Sequence, residues 1–187
     1  MVAGVRYWPR SRISGGLKSE TLVLPMNWGA MWDAAEAPLA SGTYPKIPTY
    51  DTVENLSFVC ETQSGNGTTT NIWWAIIVLP ETYVDATNLT LKIDGKYTTT
   101  GTAACTIDVE AFPYDSDNGD FSNTDICATT VQSLATSFAT ESFTLTGATL
   151  TAKGTILVRL TSEVVESGGG DAYNSFNFPR VEFTGKE

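Results

Sequence analysis

The chain reads as one all-β domain, an antiparallel two-sheet sandwich of jelly-roll type, and three observations lead there. Apolar and polar residues alternate with a period of two in several separate stretches, the mark of strands with one dry face. No apolar pattern of helical period runs beyond a single turn. The composition is strand-like and turn-rich: of 187 residues, 28 are threonine, which suits a half-buried pleated surface, and 16 are glycine. A chain of this length can bury a core without metal or disulfide staples.

The elements follow in order. Glu20 to Leu24 is a short strand candidate stopped by Pro25. In the next run Leu56, Phe58 and Cys60 alternate with polar neighbours, and Asn66-Gly67 marks a turn. Ile72 to Leu79 is apolar on both parities and ends at Pro80, so it is expected as a central strand covered on both sides. Leu89, Leu91 and Ile93 alternate up to an expected turn at Asp94-Gly95. Cys105, Ile107, Val109 and Ala111 form one face of the following strand. Two more strands, Phe138 to Leu145 and Thr155 to Val165, come before a last one from Asn174 to Phe183. Pro179 puts that last strand at an edge or on a bulge. Seven or eight strands suit a jelly roll.

Residues 1–18 lack periodicity and read as an extended basic arm, with residues 19–187 as a single sandwich domain and 26–50 as a long irregular loop. The arm holds Arg6, Arg10, Arg12 and Lys18 and no acid, whereas the remainder carries 7 basic and 21 acidic residues. The net charge of −10 speaks against nucleic acid as a partner. The longest apolar run is too short for a membrane span, and no secretory signal is visible. Arg6, Trp8, Arg10, Arg12, Trp28 and Trp32 are the candidate partner-binding residues, because tryptophan and arginine in irregular segments commonly anchor interfaces.

The chain has no histidine, which removes Ser-His-Asp and Cys-His catalysis together with histidine-based zinc sites. Cys60, Cys105 and Cys127 lack paired metal-ligand spacing and are expected as small apolar core residues. The strand acids Glu61, Asp108, Glu110, Glu141 and Glu163 read as solvated faces, so no cofactor and no enzymatic activity are expected. Asp115, Asp117 and Asp120 lie in a tight oxygen-rich loop that could take calcium, although the loop misses the EF-hand spacing.

Residues 88–183 resemble accessory virion proteins of tailed bacteriophages, the capsid decoration or cement type of β-sandwich. The stretches that carry the resemblance are Asn88 to Gly95, Thr106 to Phe112, Phe138 to Leu145 and Thr155 to Thr161. It implies a non-enzymatic structural protein, made in the host cytoplasm and placed on the capsid exterior as a homotrimer. Its partner would be the major capsid protein or another virion protein. Two other classes stand beside it. A carbohydrate- or receptor-binding module would line up aromatic side chains on one solvent face. A small two-carboxylate glycoside hydrolase would set two acids across a cleft.

Overall fold

The computed structural model describes residues 16–23, 50–51, 57–59, 63–117, 119–177 and 179–186. The candidate partner-binding residues Arg6, Trp8, Arg10, Arg12, Trp28 and Trp32, together with Cys60 and Glu61, lie outside them. So does the long loop as far as residue 49.

Thirteen strands occur among the described residues, and eight of them are six residues or longer. They are β1 (Leu17–Val23), β2 (Tyr50–Asp51), β3 (Ser57–Val59), β4 (Gln63–Ser64), β5 (Gly67–Val78), β6 (Leu89–Thr99) and β7 (Ala103–Asp115). Then follow β8 (Asp120–Phe121), β9 (Gln132–Ser133), β10 (Ala139–Leu145), β11 (Thr155–Glu166), β12 (Asp171–Phe176) and β13 (Arg180–Lys186). One sheet has eight strands in the order β1-β13-β6-β12-β3-β2, with β10 beside β6 and β4 beside β12. The other has five, β5-β11-β7-β8, with β9 beside β7. Every pairing is antiparallel. This is the two-sheet antiparallel sandwich that the sequence predicts.

The alternation that identified the strands also builds the core. Leu89, Leu91 and Ile93 of β6 and Phe143 and Leu145 of β10 face inward from the larger sheet, against Ile107 and Val109 of β7 and Ile156 and Val158 of β11. Between the layers Trp73 meets Phe176 edge to face, with ring centroids 5.1 Å apart. Cys105 is buried in the same core, which pushes its thiol up to about 11, and Cys127 is half-buried; both are free thiols.

Several boundaries move. β1 starts at Leu17, so Leu17 and Lys18 of the expected arm already pair with Lys186 and Gly185 of β13. Asp94-Gly95 is no turn, because β6 runs straight through it, with Gly95 opposite Ala139 on one side and Phe176 on the other. The glycine answers a packing demand instead: a Cβ there would stand 3.1 Å from Leu134 Cδ2. The last expected strand is β12 and β13 laid end to end along β6. Phe176 pairs with Gly95 and Arg180 with Lys92, so three residues, 177–179, oppose two. Pro179 therefore lies in a bulge, one of the two places expected for it.

One end of the sandwich is tied by a carboxylate. Glu166, the last residue of β11, accepts hydrogen bonds from Thr99 Oγ1 (3.0 Å), Thr102 N (3.1 Å) and Gly168 N (2.6 Å). Burial pushes its carboxyl up, but these hydrogen bonds outweigh it and hold the group below the usual carboxylate range.

Candidate functional site

Neighbouring residues on a strand point to opposite faces, and Trp73-Trp74 on β5 shows the consequence. Trp73 enters the core at 3% exposure, while Trp74 is half-buried on the outer face of the five-stranded sheet. The registers of β5, β11 and β7 then fix which side chains share that face. Trp74 stands level with Arg159 and Glu110, Ile76 with Leu157 and Phe112, and Ile72 with Thr161 and Asp108. Beyond Phe112 the face continues to Tyr114, which pairs with Phe121 of β8; the two rings meet edge to face at 5.4 Å.

The result is an aromatic and aliphatic strip that crosses the sheet diagonally from Trp74 to Phe121. Ile76 is 49% exposed, Val78 58% and Tyr114 46%. The expectation that Ile72 to Leu79 is covered on both sides is thereby corrected: β5 heads the strand order of its sheet, and its outward residues Ile76 and Val78 meet solvent.

Polar groups on the strip are held in place. The Arg159 guanidinium carbon lies 5.9 Å from the centroid of the Trp74 ring, and its Nε and Nη2 both meet Glu110 Oε2. An arginine between an indole and a carboxylate has little freedom left, so the guanidinium and the Glu110 carboxylate are both held in a fixed orientation. At the far end a cleft of about 390 Å³ is lined by Asp115, Asp120, Phe121, Ser122 and Asn123. The face can therefore offer flat apolar rings beside pre-oriented donors and acceptors, the usual make-up of a small-molecule site.

The remaining acids divide. Asp108 and Glu163 lie on the same outer face as Glu110, and Asp108 Oδ1 accepts a hydrogen bond from Val109 N at 3.0 Å. Glu141 departs from the solvated-face expectation, since it shares its parity with the buried Phe143 and Leu145 of β10. Among the described residues, no three histidine, cysteine, aspartate or glutamate side chains gather to hold a metal ion. Asp115 Oδ1 accepts from Asp117 N at 3.0 Å and Asp120 Oδ1 from Phe121 N at 2.7 Å, so these carboxylates cap their own turn.

No protein-family model and no curated protein matches the chain. Among solved structures it is similar to a family 16 carbohydrate-binding module, with 15% identity over 66% of this chain and 74% of that one, TM-score 0.35. A structure described as "CBM4 structure and function" shows 13% identity over 84% and 85% of the two chains, TM-score 0.32. A third is the CBM22-1–GH10 portion of Clostridium thermocellum endo-1,4-beta-D-xylanase 10B complexed with xylohexaose. It shares 12% identity over 66% of this chain and 25% of that one, TM-score 0.31. At such identities the likeness concerns the fold. The expectation of a phage capsid decoration protein finds no support here: the three structures are described as carbohydrate-binding modules, not as virion proteins. Residues 88–183 do not form a unit of their own either: β5 pairs with β11 and β1 with β13, so strands from outside that stretch complete both sheets.

Tyr114, Phe112, Trp74 and Phe121 are the residues that sequence reasoning missed. Each lies on a different strand or at a different height, and only the register brings them to one face.

Proposed function

We propose that the chain is a carbohydrate-binding β-sandwich module, and that the outer face of its five-stranded sheet takes a glycan chain. The observation that carries this reading is the diagonal strip Trp74–Phe112–Tyr114–Phe121 with the Arg159–Glu110 pair set beside its first ring. Sugar rings present apolar C–H faces to aromatic side chains and hydroxyls to charged groups around them. An exposed apolar strip costs solubility and is kept where something binds to it. Trp74 and Tyr114 lie two strands apart and four residues apart along the strand, roughly 16 Å by strand geometry. That span suits several linked rings better than a single one. Asp108, Glu110 and Glu163 face the same solvent as Arg159, the single cation on this face among the described residues, which favours a neutral glycan over an acidic one.

The module binds without turnover in this reading. The chain has no histidine, and Glu110 is engaged by Arg159.

Binding is tested by affinity electrophoresis and calorimetry on a panel of xylan, mixed-linkage β-glucan, mannan and, as the acidic member, pectate. At least one neutral polymer is expected to bind. Trp74→Ala should then lower its affinity roughly 30-fold, about 2 kcal/mol, as for other buried aromatic anchors. An unchanged affinity in that variant would remove the strip from the mechanism.

A further inference from the structure

We infer that the outer face of the eight-stranded sheet holds a second, separate binding site, a pocket for a single neutral hydroxylated ring such as a pyranose. The pocket measures about 290 Å³ and is lined by Asp94, Phe138, Ala139, Thr140 and Asn177. Small-molecule sites span about 300–1,000 Å³, so this pocket lies at the small end of the range and suits one ring.

Its chemistry follows from the strands that meet there. β10 sets Thr140 opposite Asp94 of β6, and Asn177, in the bulge between β12 and β13, donates its backbone N–H to Asp94 O at 2.9 Å. Arg180 grips the Asp94 carboxylate with two nitrogens, at 2.5 and 3.1 Å, and Thr140 Oγ1 donates to Oδ1 at 2.5 Å. Three donors on a carboxylate with room for about four leave one acceptor position for a hydroxyl from outside. Thr140, having given its proton away, presents lone pairs only. The Asn177 carboxamide has no hydrogen bond among the described residues and supplies a donor and an acceptor side by side. Phe138, 38% exposed, closes the pocket with an aromatic ring, and Lys96 Nζ lies 5.3 Å from its centroid.

A neutral polyol ring uses all of this. Its hydroxyl protons go to Asp94 and Thr140, its oxygens accept from Asn177, and its C–H face lies on Phe138. A carboxylate-bearing ligand would have to face the Asp94 oxygens. The two sites lie on opposite faces of the sandwich, so this inference does not depend on the Trp74 strip. If both bind, one molecule bridges two glycans, and surface attachment gains from the doubled valency.

The test is a nuclear magnetic resonance titration of the isotopically labelled full chain with methyl β-xyloside, methyl β-glucoside, methyl β-galactoside and methyl β-glucuronide. Saturable shifts of the Phe138, Thr140 and Asn177 amides with at least one neutral glycoside are expected. Phe138→Ala should weaken that binding tenfold or more, whereas Trp74→Ala should leave it unchanged. Asn177→Ala, at an exposed position, provides the same reading if Phe138→Ala alters the fold. Shifts with the glucuronide alone, no shifts with any neutral glycoside, or equal binding in both pocket variants would overturn the proposal. Loss of polysaccharide binding in Trp74→Ala with these shifts intact separates the fate of the strip from that of the pocket.

Discussion

The two outer faces of this sandwich are made by the same kind of antiparallel strand and carry opposite chemistry. On the eight-stranded sheet, Lys92 pairs with Glu182 at 2.8 Å and Asp94 with Arg180 at 2.5 Å, so the charges largely satisfy one another. On the five-stranded sheet, one ion pair sits beside a strip of rings and aliphatic side chains, of which Ile76, Val78 and Tyr114 are exposed. A face of paired charges needs no partner and is stable in water by itself; only a small depression at its margin is left to bind anything. The bare strip leaves apolar area in solvent, a cost that association can recover. The difference teaches that the face with exposed apolar area, and not the one with more charge, is the one that association would relieve.

Both faces depend on one core, and breaking it should erase the contrast. Phe143→Ala removes a fully buried ring between the sheets and should cost ~3–5 kcal/mol, read from urea unfolding. Its effect on glycan affinity should be small for as long as the protein stays folded. Arg159→Met sharpens the comparison from the other side. The methionine keeps much of the apolar stem that packs on Trp74 but leaves Glu110 without its partner. Affinity for the neutral polymer should fall about tenfold, ~1.4 kcal/mol, with unfolding changed by less than 1 kcal/mol. An affinity unchanged within twofold would mean that the rings alone recognise the ligand.

The smallest effect is expected on the charged face. The Arg180 hydrogen bonds hold the Asp94 carboxyl below the usual carboxylate range, against a weaker upward push from burial. A carboxyl whose value is depressed by folding stabilises the native state above its unfolded value, and that contribution is lost as pH falls through the folded one. Asp94→Asn should therefore lower the unfolding free energy at pH 7 by less than ~1 kcal/mol, as for a surface pair, with a slightly lower melting temperature. The variant and the parent should converge as pH falls below the usual carboxylate range. A gap that persists undiminished into acid would show that the pair acts through packing and not through charge.

How much of this was legible in the sequence differs between fold and site. Cys105, Ile107, Val109 and Ala111 reported their strand correctly, because burial on one side of a sheet writes a period of two directly into the chain. Pro179 reported its bulge for a similarly local reason, the missing N–H. Asp94-Gly95 misled because a local turn signal and a distant packing demand choose the same residue: Gly95 is small for the sake of Leu134. Ile76 and Val78 misled because an apolar residue reads the same whether it faces a second layer or solvent. The strip itself was invisible for a topological reason. Trp74, Phe112 and Phe121 come from β5, β7 and β8, and β11, inserted between the first two, is the link that aligns them.

The pairing of β1 with β13 has a consequence for how the molecule is made. Leu17 meets Lys186 and Val23 meets Arg180, so β1 waits for a partner strand far downstream in the chain. At translation rates of roughly 5–20 residues per second, that wait is on the order of ten seconds or more. Until then β1 exists as an exposed edge without its partner, the kind of segment that chaperones hold and aggregates recruit. β5 and β11 impose a similar delay on the second sheet. Folding of this chain is therefore expected to be slow, as for other proteins dominated by distant pairings. Expression at lower temperature, where unfinished edges meet less often, should raise the soluble yield without any change in the stability of the finished sandwich.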